Sequence, residues 1–414
     1  MHRTARTVSA ALAISLACGL TACGSGGEGV AADAEQTLTV WAMGAEGEKL
    51  GAVAAEYTKA NPEIDVKVTP IGWDVAHQKL VSAAAAGTLP DVMQMGSTYM
   101  GEFAELGVLE PVDTKTFDKK DFFPAGWEQG VVDGEVYGVP WYVDTRVLYY
   151  RTDLAQKAGV GKPPATFAEL ESMASAYQDK AKTKWGIYLQ PRGLDTVQSF
   201  YPFLYSAGGE IVDENGKAVV NSPAAVGAFE QYGAFFDKGL STKSVQPGYD
   251  PLKDFNTGNV PMFFSGPWIR TLIDEQYPDL KGKWAVANVP TGKSSTSMAG
   301  GSSLVISKDS EHKAAAKEFV AHLTSAQAQA DWYRRTHDLP ANLAAWSSGE
   351  LAEDPGMKVF FQQMKTAKST PTLPTWSEIS ASVDTALESV TQGKASGQEA
   401  AGKAQSGVED LVSR

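Results

Sequence analysis

The sequence predicts an α/β protein built from two lobes of similar size. Strand-type and helix-type patterns alternate through the first part of the chain, which is typical of a parallel sheet with right-handed crossovers. Hydrophobic residues make up 43% of the 414 residues, and this is enough apolar material for more than one core. Since a chain of this length exceeds one ordinary domain, two cores are expected.

The first five elements follow one another from residue 38. Three apolar runs of strand character alternate with two segments whose apolar residues recur at helical spacing. In chain order they are the strand 38–41, the helix 50–57, the strand 64–68, the helix 74–86 and the strand 92–95. Asp74 is expected to be the N-cap of the second helix, because its carboxylate can accept a hydrogen bond from an unpaired backbone amide.

The helices of the middle of the chain have recognisable start and stop signals. Thr166 and Glu169 form a capping box, in which each side chain accepts a hydrogen bond from the other residue's backbone amide. Ser222 precedes Pro223, an order that suits the N-cap and the first helical position. Gly239 can cap the other end of that helix.

The last part of the chain is predicted to be mainly helical. An amphipathic helix is expected over 313–323, with its apolar residues on one face. The tail 377–414 also has a helical pattern. Glycine is a weak helix former, so interruptions are expected at Gly393, Gly397 and Gly402.

The first 22 residues are predicted to be a lipoprotein signal peptide. Arg3 and Arg6 give a short positive start, and the apolar core 8–20 that follows is too short to span a bilayer. This core ends in Leu-Thr-Ala-Cys at 20–23, which resembles a bacterial lipobox, so lipidation is expected at Cys23. A plain signal peptide with a chance cysteine remains the alternative.

Composition excludes several classes of function. The two cysteines, Cys18 and Cys23, both lie near the start, so disulfides, Cys-ligated metal sites and a thiol nucleophile are not expected in the body. The five histidines form no ligand-spaced cluster, so neither a metal nor a cofactor is expected. A net charge of −13 disfavours nucleic-acid binding, because phosphate backbones would be repelled. Residues 24–34, rich in Gly, Ala and Ser, suit a flexible tether.

Several phrases of sequence occur in a fixed order along the rest of the chain. They are AAAG at 84–87 with PDV at 90–92 and FAELGVL at 103–109, GEVYGVP at 134–140 with LYY at 148–150, PPATFAEL at 163–170, the pattern Phe255…Gly258…Met262…Gly266-x-Trp268, and DLPA at 338–341. This ordered set resembles the extracellular solute-binding proteins of carbohydrate ABC importers, the group that includes maltose-binding protein. That family is not defined by a catalytic motif, so the resemblance implies a binding protein and not an enzyme.

The resemblance implies a type II periplasmic-binding-protein fold with a ligand cleft between the lobes. Its implied organisation is a signal peptide 1–22, a tether 23–36, a first lobe of 37–143 plus 303–346, and a second lobe of 144–302 plus 347–414. The expected ligand is a di- or oligosaccharide, and the expected partners are ABC permease subunits with a cytoplasmic ATPase. A lipid (palmitate) on Cys23 would anchor the protein to the extracytoplasmic face of the cell membrane.

A sugar site needs flat apolar surfaces for the C–H faces and charged groups for the hydroxyl edges. In open α/β sheets such groups lie in loops at the carboxyl ends of strands. Glu46 follows the first predicted strand and is therefore a candidate acceptor for sugar hydroxyls. An ordinary negative charge in the first turn of a helix, stabilised by the helix dipole, explains this residue equally well. Tyr99 follows the strand 92–95 and could stack on a sugar, with core packing as the alternative.

The remaining candidates depend on the resemblance to the family. By that resemblance, Asp144 lies in the first interlobe crossing, where the family often has an acidic sugar ligand. Arg146 lies two residues later on an extended segment, so both side chains should point to the same face; a structural salt bridge is the alternative. Trp268 matches the family's stacking tryptophan, with core packing as its alternative. Further candidates are Gly301 and Ser302 at the second crossing and Trp376 in the second lobe.

Five weaker candidates are explained equally well by packing or solvation: Trp73, His77, Arg192, Arg335 and His337.

The rival functions are an exported carbohydrate-active enzyme and a surface carbohydrate receptor. The enzyme would use paired carboxylates, but no pair stands out in the sequence, and no serine-hydrolase or zinc-protease motif is present. The receptor would share the anchor but would not explain the ordered phrases.

Overall fold

The computed structural model describes residues 36–193, 196–246, 249–347 and 349–413. The predicted signal peptide, Cys23 and all but the last residue of the predicted tether lie outside these ranges. Among the described helices, none is both long enough and apolar enough to cross a membrane.

The strands form a seven-stranded sheet, a three-stranded sheet and a small hairpin. In chain order they are β1 Gln36–Met43, β2 Ile64–Ile71, β3 Val92–Gly96, β4 Val131–Val132, β5 Glu135–Val136, β6 Gly138–Thr145, β7 Val147–Arg151, β8 Met262–Ser265, β9 Trp284–Ala287, β10 Met298–Ile306, β11 Leu339–Pro340 and β12 Lys368–Ser369. The larger sheet has the order β11-β6-β10-β3-β1-β2, and β12 also pairs with β10. The smaller sheet has the order β8-β7-β9, and the hairpin is β4-β5.

Helices surround both sheets. In chain order they are α1 Gly44–Ala60, α2 Trp73–Ala86, α3 Met100–Glu105, α4 Pro124–Glu128, α5 Thr152–Lys157, α6 Phe167–Ala176, α7 Thr196–Ser206, α8 Pro223–Asp237, α9 Pro251–Thr257, α10 Trp268–Gln276, α11 Lys313–Thr324, α12 Ala326–Thr336, α13 Gly349–Glu353, α14 Pro355–Met364, α15 Trp376–Thr391 and α16 Gly397–Val412. A π-helical turn, Tyr177–Ala181, directly follows α6.

The predicted alternation of strands and helices over 38–95 is confirmed. β1 pairs in parallel with both β2 and β3. Leu38, Val40 and Leu50 are fully buried in one core of this layer, and Leu80 is buried in a second. The helices α1 and α2 therefore cover the sheet as the periodicity predicts.

The predicted N-cap of the second helix is wrong by two residues. α2 begins at Trp73 and its N-cap is Gly72, because β2 extends to Ile71 and the chain turns into the helix at once. Asp74 lies in the first turn instead, where its negative charge interacts favourably with the positive end of the helix dipole.

The strand directions bring several loops to one edge of the larger sheet. β10 runs antiparallel to β3 and also antiparallel to β6. Consequently β6 runs parallel to β1, β2 and β3, and the carboxyl ends of these four strands lie on the same side. The loops that follow them are therefore neighbours in space.

The chain crosses between the two sheets at short connections. β6 ends at Thr145 and β7 of the smaller sheet begins at Val147, so a single residue separates them. Residues 288–297 lead back from β9 to β10. The expected lobe boundary at 302 lies inside β10, whose first residues already pair with β6. We therefore propose a boundary near residue 297, with the whole of β10 in the first lobe.

The second lobe has a largely helical core, in which α7, α8, α15 and α16 pack on one another. Both hydrogen bonds of the predicted capping box between Thr166 and Glu169 are present. Ser222 accepts a hydrogen bond from the Ala225 amide, so it is the N-cap of α8. Gly239 follows the end of α8 with a φ of +67°, as a helix-ending glycine should.

The helical tail is confirmed, but of the three glycines expected to interrupt it only Gly393 lies between two helices. Gly393 follows α15 with a φ of +68°. Gly397 is the first residue of α16, after the N-cap Ser396. Gly402 lies inside α16, because the packing of that helix on the second core outweighs the cost of about 1 kcal/mol of a glycine relative to alanine.

Candidate functional site

Asp144 and Arg146 form an ion pair at the crossing between β6 and β7. Nη1 of Arg146 donates to Oδ1 of Asp144 at 2.5 Å, and Nη2 donates to Oε1 of Gln198 on α7 at 2.5 Å. Both side chains of the ion pair are mostly buried. The prediction that they share a face agrees with this geometry, and the guanidinium joins the crossing to the helical core of the second lobe.

Trp268 lies directly against this ion pair. It is the first residue of α10, and 41% of its surface is exposed. Cζ of Arg146 lies 4.8 Å from the centroid of its indole ring, which is the geometry of a cation–π contact. Core packing is thus not the role of Trp268, because a large aromatic surface remains open to solvent.

Glu46 occupies the edge of the larger sheet where β1 ends. Its carboxylate accepts hydrogen bonds from the hydroxyl of Tyr142 and the indole of Trp73, and burial raises its pKa above the ordinary value. The close approach of Trp73 requires Gly44, which has a φ of +57°. A Cβ atom there would lie 2.5 Å from Nε1 of Trp73. Trp73 therefore belongs to the same cluster of side chains as Glu46, although its sequence position made it only one of the weaker candidates.

A buried polar network supports Tyr142 from behind. Nε2 of Gln94 donates to Oη of Tyr142 at 3.1 Å and to Oγ of Ser302 at 3.2 Å. Ser302 in turn donates to Oη of Tyr142 at 3.1 Å. With two hydrogen bonds accepted, the hydroxyl of Tyr142 is free to donate to Glu46. Ser302 is 1% exposed, so it acts through Tyr142 and does not line the surface itself.

Asp338 is a third carboxylate of this group. It precedes β11, and its Oδ2 accepts a hydrogen bond from Nε1 of Trp332 at 3.0 Å. Burial, and after it the nearby charges of Glu46 and Asp144, raise the pKa of Asp338 to about 7. The three carboxylates of Glu46, Asp144 and Asp338 therefore lie close enough for their charges to interact, and Arg146 pairs with Asp144.

Tyr99 and His77 extend the aromatic surface beside Trp73. The rings of Tyr99 and His77 are 5.0 Å apart, and Nε2 of His77 is 2.6 Å from Oε2 of Glu102. A Cβ atom at Gly96 would contact both Trp73 and Tyr99, at 3.5 and 3.6 Å, so these two rings flank the end of β3. The aromatic residues after β2 and β3 thus lie next to each other, as the rule about carboxyl ends predicts.

Gly301 has a structural role at the second crossing. Its φ is +126°, and a Cβ atom would lie 2.3 Å from the carbonyl oxygen of Tyr142. A residue with a side chain is excluded here, because the backbones of β6 and β10 approach closely at this point. Gly301 was predicted as a ligand-binding residue at which the backbone approaches the sugar; the close approach seen in the structure is to β6 of the same chain, and contact with a sugar stays a prediction.

The prediction for Trp376 is wrong. It is 1% exposed and packs in the second core with Ile379 and Val383. These three residues recur at helical spacing along the start of α15, so they form the apolar face that the helix buries. The preceding proline turn suggested a loop residue, whereas the helix begins at Trp376 itself.

Three of the weaker candidates have contacts elsewhere. Arg192 is exposed, and its Nη2 donates to the carbonyl of Val245 at 3.5 Å. Arg335 forms a salt bridge with Glu56 across α12 and α1. His337 ends α12 with a φ of +62°, and its ring meets that of Tyr333 at a centroid distance of 5.5 Å.

Sequence reasoning missed four members of the group: Gln94, Tyr142, Gln198 and Asp338. Gln94 had a usable signal, since it is the one polar residue in the apolar strand 92–95. Asp338 begins the phrase DLPA at 338–341, but nothing in that phrase marks it as a ligand. Gln198 had no signal, because its role depends on where α7 packs.

The arrangement combines what a polyhydroxylated ligand requires. Trp73, Tyr99 and Trp268 offer ring surfaces, Glu46 and Asp144 offer acceptors, and Arg146 offers a donor. In the described parts of the chain, no group of three or more His, Cys, Asp or Glu side chains is positioned to hold a metal ion.

Comparisons with known proteins identify similar chains. A family model described as "Bacterial extracellular solute-binding protein" matches residues 42–330. The structure of the sugar-binding protein MalE from Xanthomonas citri superposes with a TM-score of 0.85 at 33% identity, covering 91% of this chain and 98% of that one. A putative binding protein of Brucella abortus (strain 2308) is 29% identical over 360 residues, which is 84% of this chain and 86% of the relative. The maltodextrin-binding protein MdxE of Bacillus subtilis (strain 168) is 26% identical over 417 positions, with 96% and 95% covered.

Proposed function

Because this chain belongs to the family of bacterial extracellular solute-binding proteins, we propose that it captures a di- or oligosaccharide for an ABC importer. It has the two-lobed type II fold of the structures that it resembles. The relatives named above include a sugar-binding protein and a maltodextrin-binding protein, and these names support a carbohydrate ligand. Permease subunits with a cytoplasmic ATPase are the partners that the family implies.

One observation carries the sugar assignment. Ring surfaces and charged hydrogen-bonding groups from both lobes meet at the crossing that contains Asp144 and Arg146. The first lobe contributes Glu46 and Trp73, and the second contributes Trp268. Stacking on indole rings together with hydrogen bonds to ionised groups is the combination by which proteins hold sugars.

The mechanism that follows is closure of the two lobes around the ligand. A sugar that contacts Glu46 and Trp73 of the first lobe and Trp268 of the second lobe at the same time binds the closed form better than the open form. It therefore shifts the population towards the closed form by this difference in affinity. Arg146 is suited to transmit the closure, because it holds both the crossing and α7 of the second lobe.

A calorimetric titration with α- and β-linked disaccharides and with maltotriose tests the function. We expect saturable binding to one site and an increase in melting temperature. For a ligand at 100 times its dissociation constant, linkage predicts a stabilisation of about 2.7 kcal/mol. If no member of the panel binds or raises the melting temperature, the carbohydrate assignment is wrong.

A second candidate function, glycoside hydrolysis, is favoured by one observation. Asp338 has a pKa raised to about 7 and lies near two further carboxylates, and such a pair can supply an acid and a base. We propose binding without turnover, since the carboxylate of Asp338 is held by a hydrogen bond from the indole of Trp332. Incubation of the protein with each oligosaccharide and chromatography of the products decides: release of shorter sugars would establish the enzyme.

We further propose that Cys23 is lipidated and that the protein is held at the extracytoplasmic face of the cell membrane. The support is the Leu-Thr-Ala-Cys phrase after a short apolar core. Metabolic labelling with an alkyne analogue of palmitate, followed by fractionation, should label the membrane-bound protein. The variant Cys23→Ala should lose both the label and the membrane association, and label retained by this variant would contradict the anchor.

A further inference from the structure

The indole ring of Trp268 lies across the backbone of Gly266, two residues earlier in the chain. A Cβ atom at Gly266 would be 2.6 Å from Cε3 of this ring and closer still to Cζ3 and Cη2. Carbon atoms that are not bonded to each other stay about 3.5–4.0 Å apart. The ring of Trp268 therefore occupies the space that a side chain at position 266 would need.

The start of α10 explains why the ring lies there. Pro267 is the N-cap of α10 with a φ of −64° and a ψ of −30°, so the chain is already helical before Trp268, the first residue of the helix. Side chains in a helix point back towards its amino end. The first side chain of α10 is therefore directed back over the residue that precedes the proline, which is Gly266.

The backbone at Gly266 is held in place. The preceding residue, Ser265, pairs with Val147 of β7. Oη of Tyr149, a residue that is 0% exposed, donates to the carbonyl oxygen of Gly266 at 2.7 Å. The backbone cannot move away from the ring without breaking this buried hydrogen bond, which is costly. A side chain at position 266 would therefore displace the ring and not the backbone.

The conformation of Gly266 does not itself require glycine. Gly301 has a positive φ, whereas Gly266 does not. A residue with a side chain is therefore not excluded at position 266 by the left-handed region of backbone conformation. The space taken by the indole ring of Trp268 is what excludes it.

A second contact of the ring is also with an immobilised group. Cζ of Arg146 lies 4.8 Å from the ring centroid, and its guanidinium is held by Asp144 and Gln198. At the same time 41% of Trp268 is exposed, so part of its surface remains open to a ligand. The orientation of the ring is thus fixed before any ligand binds.

We propose that Gly266 is a positioning residue for the ligand: its lack of a side chain lets the indole of Trp268 lie in the orientation that binds the sugar. The inference rests on the sugar binding proposed above. A methyl group at position 266 would turn the ring out of this orientation and away from Arg146. Binding to a ring that is already oriented is tighter, because less conformational freedom is lost on binding.

Calorimetric titration of Gly266→Ala with maltotriose and the α- and β-linked disaccharides tests this role. We expect the sugar that the wild type binds most tightly to bind about tenfold more weakly. The melting temperature of the free protein should change little, because a partly exposed side chain can move without disturbing the core. Gly227→Ala is the matched control, since a Cβ atom at this exposed position of α8 would contact nothing within 4 Å. It should leave the dissociation constant unchanged.

A double-mutant cycle shows whether Gly266 acts through the ring. Trp268→Ala has no ring to displace, so the addition of Gly266→Ala to this variant should cause no further loss of affinity. A purely structural effect of the methyl group would instead weaken binding by the same factor in both backgrounds.

A measurement without sugar tests the orientation of the ring itself. The chain has ten tryptophans, and protein labelled with 5-fluorotryptophan gives a ¹⁹F NMR signal for each of them. The signal of Trp268 is the one that is lost in Trp268→Phe. Gly266→Ala should shift this signal, whereas Gly227→Ala should not.

Three results would overturn the inference while the proposed function stands: wild-type affinity in Gly266→Ala, equal losses of affinity in the two backgrounds of the cycle, or an unshifted ¹⁹F signal of Trp268. A wild-type protein that binds no sugar of the panel would instead overturn the proposed function, and the positioning role with it. The two failures are therefore distinguished by the titration of the wild type.

Discussion

At the residue scale, the site has an excess of carboxylates over cations. Glu46, Asp144 and Asp338 lie close enough to influence one another, and Arg146 is the guanidinium that pairs with Asp144. Burial, and after it repulsion between the carboxylates, raises the pKa of Glu46 and of Asp338, so these two carboxyl groups hold protons at a higher pH than isolated ones would. A sugar hydroxyl that donates to such a carboxylate competes with these protons.

The raised pKa of Asp338 predicts that the stability of the protein depends on pH. Its value is about 7 in the folded protein and 3.8 for the unperturbed group. Between these two values the folded state binds more protons than the unfolded state, so this contribution to stability is complete below about pH 3.8 and is lost as the pH rises through 7. Asp338→Asn should remove this dependence.

Urea unfolding at several pH values between 4 and 8 measures the effect. The free energy of unfolding of the wild type minus that of Asp338→Asn should fall as the pH rises across this window and then level off. A difference that is constant, or that grows with pH, would contradict the raised pKa. Trp332→Phe should alter the curve as well, because it removes the hydrogen bond to Asp338.

Trp268 is expected to contribute directly to ligand binding. Trp268→Ala should weaken the binding of the preferred disaccharide by roughly 2–4 kcal/mol, since an exposed indole ring is a typical binding hot spot. The fold should be little affected, because 41% of the side chain is already exposed. Calorimetry and thermal unfolding of the same sample give both quantities.

A matched control exists for this substitution. Trp185 is also a partly exposed tryptophan beneath a cation, with Nζ of Lys184 5.8 Å from its ring centroid. Trp185→Ala should leave the dissociation constant unchanged. Equal losses of affinity in both variants would mean that tryptophan removal acts through general destabilisation and not through contact with the sugar.

At the element scale, the close pairing of β6 and β10 fixes the position of Tyr142. Gly301 permits this pairing, and Gly301→Ala would bring a Cβ atom to 2.3 Å from the carbonyl oxygen of Tyr142 in a strained conformation. We expect a loss of stability of roughly 1–3 kcal/mol and weaker sugar binding, because the strands must separate. Urea unfolding and calorimetry measure the two effects.

Gly51 provides the comparison for the same substitution. It lies in α1, and a Cβ atom there would contact nothing within 4 Å. Gly51→Ala should stabilise the protein by about 0.5–1 kcal/mol, because alanine is the better helix former. If Gly301→Ala were as well tolerated, the geometry of the second crossing would be less restrictive than described.

At the scale of the whole molecule, the connections between the sheets permit closure. A single residue separates β6 from β7, and residues 288–297 form the return path. Saturating disaccharide should therefore reduce the radius of gyration measured by small-angle X-ray scattering. Trp268→Ala at the same sugar concentration should show a smaller reduction, since fewer molecules are liganded. A radius of gyration unchanged by a ligand that binds tightly would rule out closure.

Much of the first lobe could be predicted from the sequence alone. Apolar residues at periods of two and 3.6 determined the order of β1, α1, β2, α2 and β3, because local periodicity decides which face an element buries. The capping box at Thr166 and the N-cap Ser222 were also determined locally. The ordered phrases then identified the family, and Asp144, Arg146 and Trp268 came from them.

The tertiary structure alone decided which side chains meet. Pro267 directly precedes Trp268, and Pro374 lies two residues before Trp376. Both tryptophans begin a helix, yet Trp376 is buried in the second core whereas the ring of Trp268 lies against Arg146. Gln94 on β3, Gln198 on α7 and Asp338 before β11 lie in the site because these elements, which are far apart in the sequence, pack next to one another. The physical reason is that periodicity encodes the face of one element, whereas a binding site depends on the packing of several elements against one another.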